Sequence, residues 1–449
     1  MRRQLPVIIA ITLLTFTSRS ALAQQEAPQG TDFQTSDSLM EPPEVLPEAS
    51  EGEGTITAAP PRAGEEEIQQ KDILTMGGFF YQRAEVISFE GSPTPGDAVQ
   101  PLLPALADVY LEAKPSNEMR GLIRGRLIFD PLDPVLSRTP QAFLNQFWFQ
   151  FGVAKRVFVT LGRQNIKWGS ARLWTVTDFL QNPNPDPLNT YDLRTGVDMV
   201  KVVVPWEEMA SNLVVVATAD LRGPADHPLR YGGAVRAEVA LGLSELALTA
   251  AFQQGRRPRY GLDWSVGLGP VDLQAELALV RDTGGARLWE LAGTDFVERP
   301  FDGPQVQGSA GASMQFRLGD MHRGLVTVEG LYNSFGYKDS SMLEWVRSQG
   351  DYRALYFGQA YGLAQLRVEQ RSQFEPRALV TVLANLSDAS GLVRLDLGGL
   401  VSGVTAMAFV EKPFGPPGSE LLFEFTSGTD KPLRSFVTFR AGLGAAIRM

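Results

Sequence analysis

Residues 271–277, VDLQAEL, alternate apolar and polar side chains without a break. Successive side chains of a β-strand point to opposite faces of the sheet, so this alternation predicts a strand with one apolar and one polar face. The same pattern recurs in residues 107–114, 364–369, 393–397 and 437–449. It predicts an all-β fold for the region from residue 72 to residue 449.

A soluble β-sandwich and a membrane barrel both produce alternating strands, and three features favour the barrel. The alternating segments reach about ten residues or more, as tilted membrane-crossing strands must. Their apolar faces are rich in Leu, Val, Ala and Phe, and no helical segment is predicted to cover them. Eight short turns alternate with nine longer links, which requires eighteen strands. We therefore predict a transmembrane antiparallel up-and-down β-barrel of about 18 strands, with 16 as the alternative count.

One further segment, residues 421–425, also has the composition of a strand. Counting it as a membrane crossing would give an odd number of strands and reverse the direction of the last one. Because single-chain bacterial barrels have even strand numbers, we predict that this segment extends the final hairpin outside the membrane.

The first 71 residues are predicted to lie outside the barrel. Residues 1–23 combine a basic start, a short apolar run and the small-residue motif Ala21-Leu22-Ala23, the layout of a secretory signal peptide. Residues 24–71 form a Pro-rich acidic segment, with eleven Asp or Glu and one Arg between residues 24 and 70. Such a segment is predicted to be disordered and to act as a spacer or as a tether to a partner. The chain has no Cys, so no disulfide stabilises it.

The ionic faces of the strands are predicted to line the lumen. A Lys or Arg at mid-depth on the lipid face costs about 2–4 kcal/mol, so these charges must turn inward. A tight turn after residue 114 would place Asp108 opposite Arg126, Tyr110 opposite Arg124, and Lys114 opposite Arg120. The predicted lumen set is Asp108, Tyr110, Glu112, Lys114, Arg120, Arg124, Arg126, Trp148, Arg236, Glu238, Asp272, Glu276, Arg317, Arg367, Glu369, Arg394 and Asp396. These side chains either keep a wet interior open or form a track for a charged substrate.

The stretch GRQNIKWG, residues 162–169, opens a long link rich in Asn, Pro and Asp. Together with Thr177-Asp178 and Asn184-Pro185, it resembles the strand-and-loop signature of porin-like Gram-negative outer-membrane barrels, including alginate-export-type barrels. The resemblance implies a diffusion or export barrel whose loop packs into or over the pore mouth, with Arg163, Gln164, Trp168 and Asp178 as the residues at this constriction. They would either anchor the loop, by an ion pair and an aromatic contact, or contact substrate.

The side of the barrel on which Arg163 lies is a separate question. Strict alternation with Leu161 would direct its side chain towards lipid. We expect a bulge at Gly162 that turns Arg163 into the lumen, since glycine within a strand often marks a bulge. The alternative is a position near the outer rim, where a charge costs little.

The final alternating stretch ends at Met449, the last residue of the chain. It resembles the carboxy-terminal assembly signal of outer-membrane barrels, although the usual terminal aromatic residue is replaced by Met449. The expected partners are therefore outer-membrane lipid and the barrel-insertion machinery, with a periplasmic export component as a further partner if the pore secretes polysaccharide. No nucleic-acid partner is expected.

We expect a channel for polar or charged solutes in the outer membrane of a Gram-negative bacterium, reached by secretion through the inner membrane. Secretion of polysaccharide is an open variant, which would require inward aromatic rings; Tyr110, Trp148, Tyr361 and Trp264 are the candidates. A structural or adhesive barrel with a blocked pore is the alternative, and a barrel-based hydrolase is a weaker one. The chain is expected not to be an enzyme and to hold no cofactor or metal, because only His227 and His322 are present and no Ser is well placed beside either.

Overall fold

The computed structural model describes residues 73–90, 99–116, 118–133, 139–154, 156–181, 188–189, 191–192, 194–220, 230–281, 288–292, 295–299, 303–338, 343, 355–422, 425–427 and 433–449. The predicted signal peptide and the predicted acidic disordered segment lie outside these residues.

Strands account for nearly all regular structure in these ranges. The first eleven are β1 (Leu74–Glu90), β2 (Val99–Leu102), β3 (Ala105–Ser116), β4 (Met119–Phe129), β5 (Gln141–Val153), β6 (Val157–Gln164), β7 (Val197–Trp206), β8 (Ser211–Asp220), β9 (Arg230–Leu241), β10 (Ser244–Gln253) and β11 (Arg259–Leu268). The others are β12 (Val271–Val280), β13 (Leu288–Ala292), β14 (Asp295–Arg299), β15 (Gln305–Leu318), β16 (His322–Asn333), β17 (Ala360–Gln370), β18 (Arg377–Asn385), β19 (Ser390–Val401), β20 (Val404–Phe414), β21 (Phe425–Ser427) and β22 (Leu433–Arg448). One 3-10 turn spans Glu207–Met209.

Sequential antiparallel pairing closes these strands into a barrel. β22 pairs with β20 on one side and with β1 on the other, where Phe79 lies opposite Arg448 and Ile87 opposite Arg440. The short strand β2 extends the pairing of β1, and β13 and β14 form a separate hairpin. Leaving out these three strands and β21, eighteen strands form the closed wall. The prediction of an 18-stranded barrel is confirmed.

The connections fall into the two predicted classes. Tight turns such as those between β9 and β10, β11 and β12, and β19 and β20 lie at one rim. The long links lie at the other rim, where β21 pairs with the start of β22 and places Phe425 opposite Ser435. Of the predicted strand at residues 421–425, only Phe425 lies in a described strand, β21, which pairs with β22 and is not part of the closed wall. Leu421 and Leu422 lie outside strands, and residues 423–424 lie outside the described residues.

The outer face of the barrel is apolar. Val109, Leu111 and Phe147 are exposed, whereas Asp108 on the opposite face of β3 has no exposed surface. Trp264 is 37% exposed and lies between Leu246 and Ala275 on the outer face. The expectation that Trp264 faces inward is therefore wrong, because strict alternation in β11 assigns the inner face to its neighbour Asp263. None of the helices in the described ranges is long and apolar enough to span a membrane.

Candidate functional site: the inner wall and the segment that crosses it

The inner wall between β3 and β4 holds a buried ionic cluster. Asp108 lies directly opposite Arg126, as the sequence predicted, and Tyr110 lies opposite Arg124. Both arginines donate to the Asp108 carboxylate, the Nε of Arg124 at 2.6 Å and the Nε of Arg126 at 2.5 Å. The Asp108 carboxylate is fully buried, so two guanidinium groups offset the cost of removing its charge from water.

Nearer the short-turn rim the same two strands are more exposed. The Nε of Arg120 donates to Glu112 at 2.5 Å, and the Arg120 guanidinium lies 5.7 Å from the Trp148 ring. The indole N–H of Trp148 donates to Gln146 at 3.2 Å. The predicted pairing of Lys114 with Arg120 is interrupted, because the register shifts between Ala113 and Ser116. A bulge in this turn displaces Lys114, which alternation alone could not reveal.

A second cluster lies on β9 and β11. Arg236 donates through Nε to Glu238 at 2.6 Å and through Nη2 to Asp263 at 2.5 Å. Its guanidinium also lies 5.9 Å from the ring of Trp168. Asp263 was absent from the predicted lumen set, although its alternation with Leu262 and Trp264 is a signal that places it on the inner face.

A third cluster lies where the barrel closes. Arg394 pairs with Asp396 at 2.7 Å and with Glu411 at 3.3 Å, and Arg440 pairs with Glu85 at 3.2 Å. The guanidinium groups of Arg83, Arg394 and Arg440 lie 5.6, 4.4 and 5.7 Å from the centre of the Phe409 ring. Sequence reasoning found only Arg394 and Asp396 here, because the other members come from β1, β20 and β22, which are distant in sequence.

The described residues of the link between β6 and β7, residues 165–181, 188–189, 191–192 and 194–196, lie inside the barrel; we call them the crossing segment. Its Trp174 packs against Tyr361 of β17, with ring centres 5.9 Å apart. Strand β17 is nine strands from β6 around an 18-stranded wall, so it lies on the opposite side. Further on, Asn189 accepts a 3.4 Å hydrogen bond from Arg83 of β1. A segment that touches inward side chains on opposite walls must cross the lumen.

Two buried carboxylates hold the start of the crossing segment. Glu329 of β16 accepts backbone N–H donors from Arg172, Leu173 and Trp174 at 2.7, 3.1 and 2.7 Å. Glu276 of β12 accepts the backbone N–H of Ala171 at 2.7 Å, and both the N–H and the hydroxyl of Thr177 at 3.0 and 2.9 Å. These two charges therefore bind the segment through its backbone, as anions bind to clustered amides elsewhere in proteins.

Gly169 is required by this arrangement. Its φ is +101°, in the region that favours glycine, and an added Cβ would lie 2.4 Å from an oxygen of Glu276. The Gly in the Trp168-Gly169 pair of the signature therefore permits close approach of the backbone to a buried carboxylate.

Asp178 and Trp168 lie inside the segment's own fold. Trp168 is buried against Met199 and Val214, and its backbone N–H lies 3.5 Å from Asp178. Burial raises the pKa of the Asp178 carboxyl to about 7, against the opposing effect of the Arg194 charge. Asp178 therefore titrates near neutral pH. Its predicted role, as a loop anchor or as a contact with substrate, stays a prediction.

Arg163 does not take the predicted position. Pairing continues through Gly162 without a register shift, with Trp148 opposite Gly162 and Phe147 opposite Arg163. Arg163 therefore shares the outer face with Phe147 and forms a bidentate pair with Asp198 of β7, at 2.9 and 2.8 Å. The expected bulge at Gly162 is therefore wrong. Arg163 takes the alternative position near the outer rim, where Asp198 neutralises its charge on the outer face. Gln164, by contrast, is buried on the inner face.

A second group of contacts ties links at the long-link rim together. Glu420 accepts hydrogen bonds from Tyr361 at 3.1 Å and Asn385 at 2.7 Å. Asp388 accepts from the Tyr337 hydroxyl at 3.0 Å and from the Glu420 backbone at 2.8 Å. These bonds join the links that follow β16, β18 and β20. Within the described part of the chain, no cluster of acidic, His or Cys side chains is arranged to hold a metal ion.

The remaining predicted lumen residues are less constrained. Asp272 lies opposite Ser313 on β15, and Arg317 lies opposite Arg323 on β16. Arg367 lies opposite Leu325 of β16, and Glu369 lies between Arg323 and Arg377. Their parity places all four on the inner face, near the short-turn rim. A role in solute passage stays a prediction for each of them.

Several solved structures align with this chain at low sequence identity. A mutant of the Rh. blastica porin aligns with a TM-score of 0.41 and 11% identity, over 84% of this chain and 100% of that one. The outer membrane protein OpdK from Pseudomonas aeruginosa aligns with a TM-score of 0.46 and 10% identity, over 84% of this chain and 99% of that one. The protein OccK11 from the same organism aligns with a TM-score of 0.48 and 10% identity, over 83% of this chain and 96% of that one. No protein-family model and no curated protein matches the chain. The resemblance of its loop signature to alginate-export-type barrels stays a prediction.

Proposed function

We propose that the chain forms a channel in the outer membrane through which small polar and charged solutes diffuse. The observation that supports this most is the contrast between the two faces of one closed wall. Aliphatic side chains such as Leu111 and Leu277 are exposed on the outside, while ionised groups such as Asp108 and Arg394 are held inside. The buried members are stabilised by their ion pairs, and exposed inner charges such as Arg120 support a path filled with water.

The dimensions are compatible with solute passage. Eighteen strands spaced about 4.8 Å apart and tilted by about 40° enclose a backbone diameter of roughly 35 Å. Barrels of this strand number leave an aqueous lumen unless loops fill it. The crossing segment occupies part of that lumen and narrows it, so the proposed path runs beside the segment.

The proposed location follows from the same wall. An apolar outer band suits hydrocarbon, and an antiparallel barrel with short turns at one rim and long links at the other is the outer-membrane arrangement. Export of polysaccharide is a finer possibility within this proposal. The crossing segment favours small solutes over it, because a polymer would have to pass beside a segment that spans the lumen from β6 to β17.

Two variants of the protein test the channel. Purified wild-type protein and a variant with residues 168–192 replaced by a Gly-Ser linker are reconstituted into planar bilayers. We expect discrete ohmic steps from the wild type and larger steps from the variant, with heat-dependent gel mobility confirming folded barrels. If folded wild-type protein gives no steps while the variant conducts, the native pore is blocked and the structural or adhesive alternative is favoured. No conductance from either folded protein would refute the channel.

A further inference from the structure

An arginine-rich patch lies at the short-turn rim between β15 and β18. Arg317 and Arg323 lie directly opposite each other on β15 and β16, and both are exposed. Like charges in directly opposed positions destabilise a sheet. Among the described residues, no acidic group forms an ion pair with either arginine. Glu369 lies opposite Arg323 on its other side and offsets part of this repulsion, and an external anion would relieve the rest.

The neighbouring strands extend this patch. Its members are Arg317, Arg323, Arg367, Arg371 and Arg377, and the other titratable groups beside them are Asp320, His322, Glu369 and Glu375. Backbone pairing places Glu369 between Arg323 and Arg377, and the backbone of Arg371 bonds to Met321 in the turn. The Nε of Arg377 is buried without an acceptor. Five arginines against three carboxylates leave the patch with excess positive charge.

The neighbouring part of the same rim, on β9 to β12, has the other sign. Glu238 and Glu245 lie on the inner face of β9 and β10, and Asp272 lies on that of β12. Arg236 neutralises Glu238, which leaves Glu245 and Asp272. An anionic segment at this rim would be repelled by the β9–β12 side and attracted to the β15–β18 side.

The chain itself provides such an anion at this rim. The 49 residues from Gln24 to Asp72 contain twelve Asp or Glu and two basic residues. They lead into β1, whose start lies at the short-turn rim, where the backbone carbonyl of Ile73 accepts a 2.7 Å bond from Lys114. A rim of roughly 35 Å diameter is shorter than the reach of even a dozen extended residues.

We propose that the acidic segment Gln24–Asp72 docks on the arginine patch of its own barrel. Its carboxylates supply the anions that the Arg317–Arg323 pair lacks. The inference does not depend on the channel activity, since a barrel with a blocked pore presents the same patch.

Disulfide trapping tests this docking, because the chain has no native Cys. Ser50→Cys is combined with Met321→Cys, in the turn between the two opposed arginines. The matched control combines Ser50→Cys with Leu243→Cys, in the turn between β9 and β10. Both turn residues are exposed, at 48% and 76%, and both turns lie six to eight strands from β1, so the tether reaches them about equally.

We expect trapping at residue 321 to be at least ~10-fold faster than at residue 243 in low salt. The preference should vanish in 1 M salt, where charges are screened over about 3 Å, and also when Arg317→Gln and Arg323→Gln are added. Heat-dependent gel mobility confirms that each variant is folded. Equal trapping at the two turns, or a preference that survives salt or the double substitution, would overturn the proposal.

Discussion

Glu329→Gln is predicted to release the crossing segment from the wall of β16. The two carboxylate oxygens of Glu329 accept three backbone N–H groups of the segment, from Arg172, Leu173 and Trp174, and Oε2 also accepts the side-chain amide of Gln274 at 3.2 Å. A glutamine keeps one accepting oxygen and places an NH₂ group where Oε2 stood. The N–H of Arg172 then faces a donor, and the bonds that remain lose their charge assistance.

The expected magnitude follows from these bonds. Changing two charge-assisted hydrogen bonds into neutral ones costs about 1 kcal/mol each, and leaving one buried backbone N–H unsatisfied costs about 1–3 kcal/mol more. A total of about 3–5 kcal/mol corresponds to a rise of at least roughly 150-fold in the ratio of undocked to docked segment. The barrel wall should remain intact, because the backbone pairing of β16 does not involve this carboxylate.

Single-channel recording measures that ratio. We expect Glu329→Gln to show frequent steps to a higher conductance level that are rare in the wild type. Glu112→Gln is the matched control, since Glu112 also lies on the inner wall but pairs with Arg120 and has no hydrogen bond to the segment among those of the described residues. If Glu329→Gln and Glu112→Gln give the same conductance and the same fluctuations, the carboxylate does not hold the segment and the reasoning fails.

Three further outcomes are expected. Asp178→Asn should weaken a pH dependence of the docking of the crossing segment. The pKa of Asp178 is raised to about 7, against 3.8 for an ordinary Asp, so this docking is strongest below about pH 4 and weakens up to about pH 7. High-conductance steps should therefore increase over that pH range in the wild type and increase less in the variant. Gly169→Ala should increase the frequency of high-conductance steps, because the added Cβ meets the Glu276 carboxylate that holds the crossing segment. Gly242→Ala is the control, since its Cβ meets open space; an equal frequency of these steps in both variants would contradict this. Phe409→Ala should lower the free energy of unfolding of the barrel, measured with urea in detergent, by about 3–5 kcal/mol, because its buried ring packs against three guanidinium groups. Phe147 is 57% exposed on the outer face, so Phe147→Ala should lower this free energy much less.

Alternation predicted the wall well because each strand is amphipathic by itself. The alternation of apolar and polar residues along each strand assigned Asp108, Arg126 and Arg394 to the inner face from their immediate neighbours. The count of short turns predicted the number of strands. The opposed pair Asp108–Arg126 could be derived in the same way, because a tight turn sets the register of a hairpin. Predictions of this kind need only local sequence.

The crossing segment could not be derived in the same way. Glu276 was assigned to the inner face, but its partners, like those of Glu329, are backbone N–H groups more than 90 residues away in sequence. A backbone donor has the same chemistry at every position except proline, so no residue type marks it. Arg163 was misassigned for a related reason: its partner Asp198 lies on the next strand, beyond the long link.

The inner wall therefore contains two kinds of buried carboxylate with different consequences. Asp108 is neutralised by an arginine of the adjacent strand β4 and Asp396 by Arg394 of its own strand β19, and such pairs stay within the wall whatever the links do. Glu276 and Glu329 bind the crossing segment instead, so they lose these hydrogen-bond partners when it undocks. Undocking would expose both carboxylates to the lumen and make that side of the wall more negative. The position of the segment thus changes both the width of the proposed path and its charge, so opening should shift the channel towards cations.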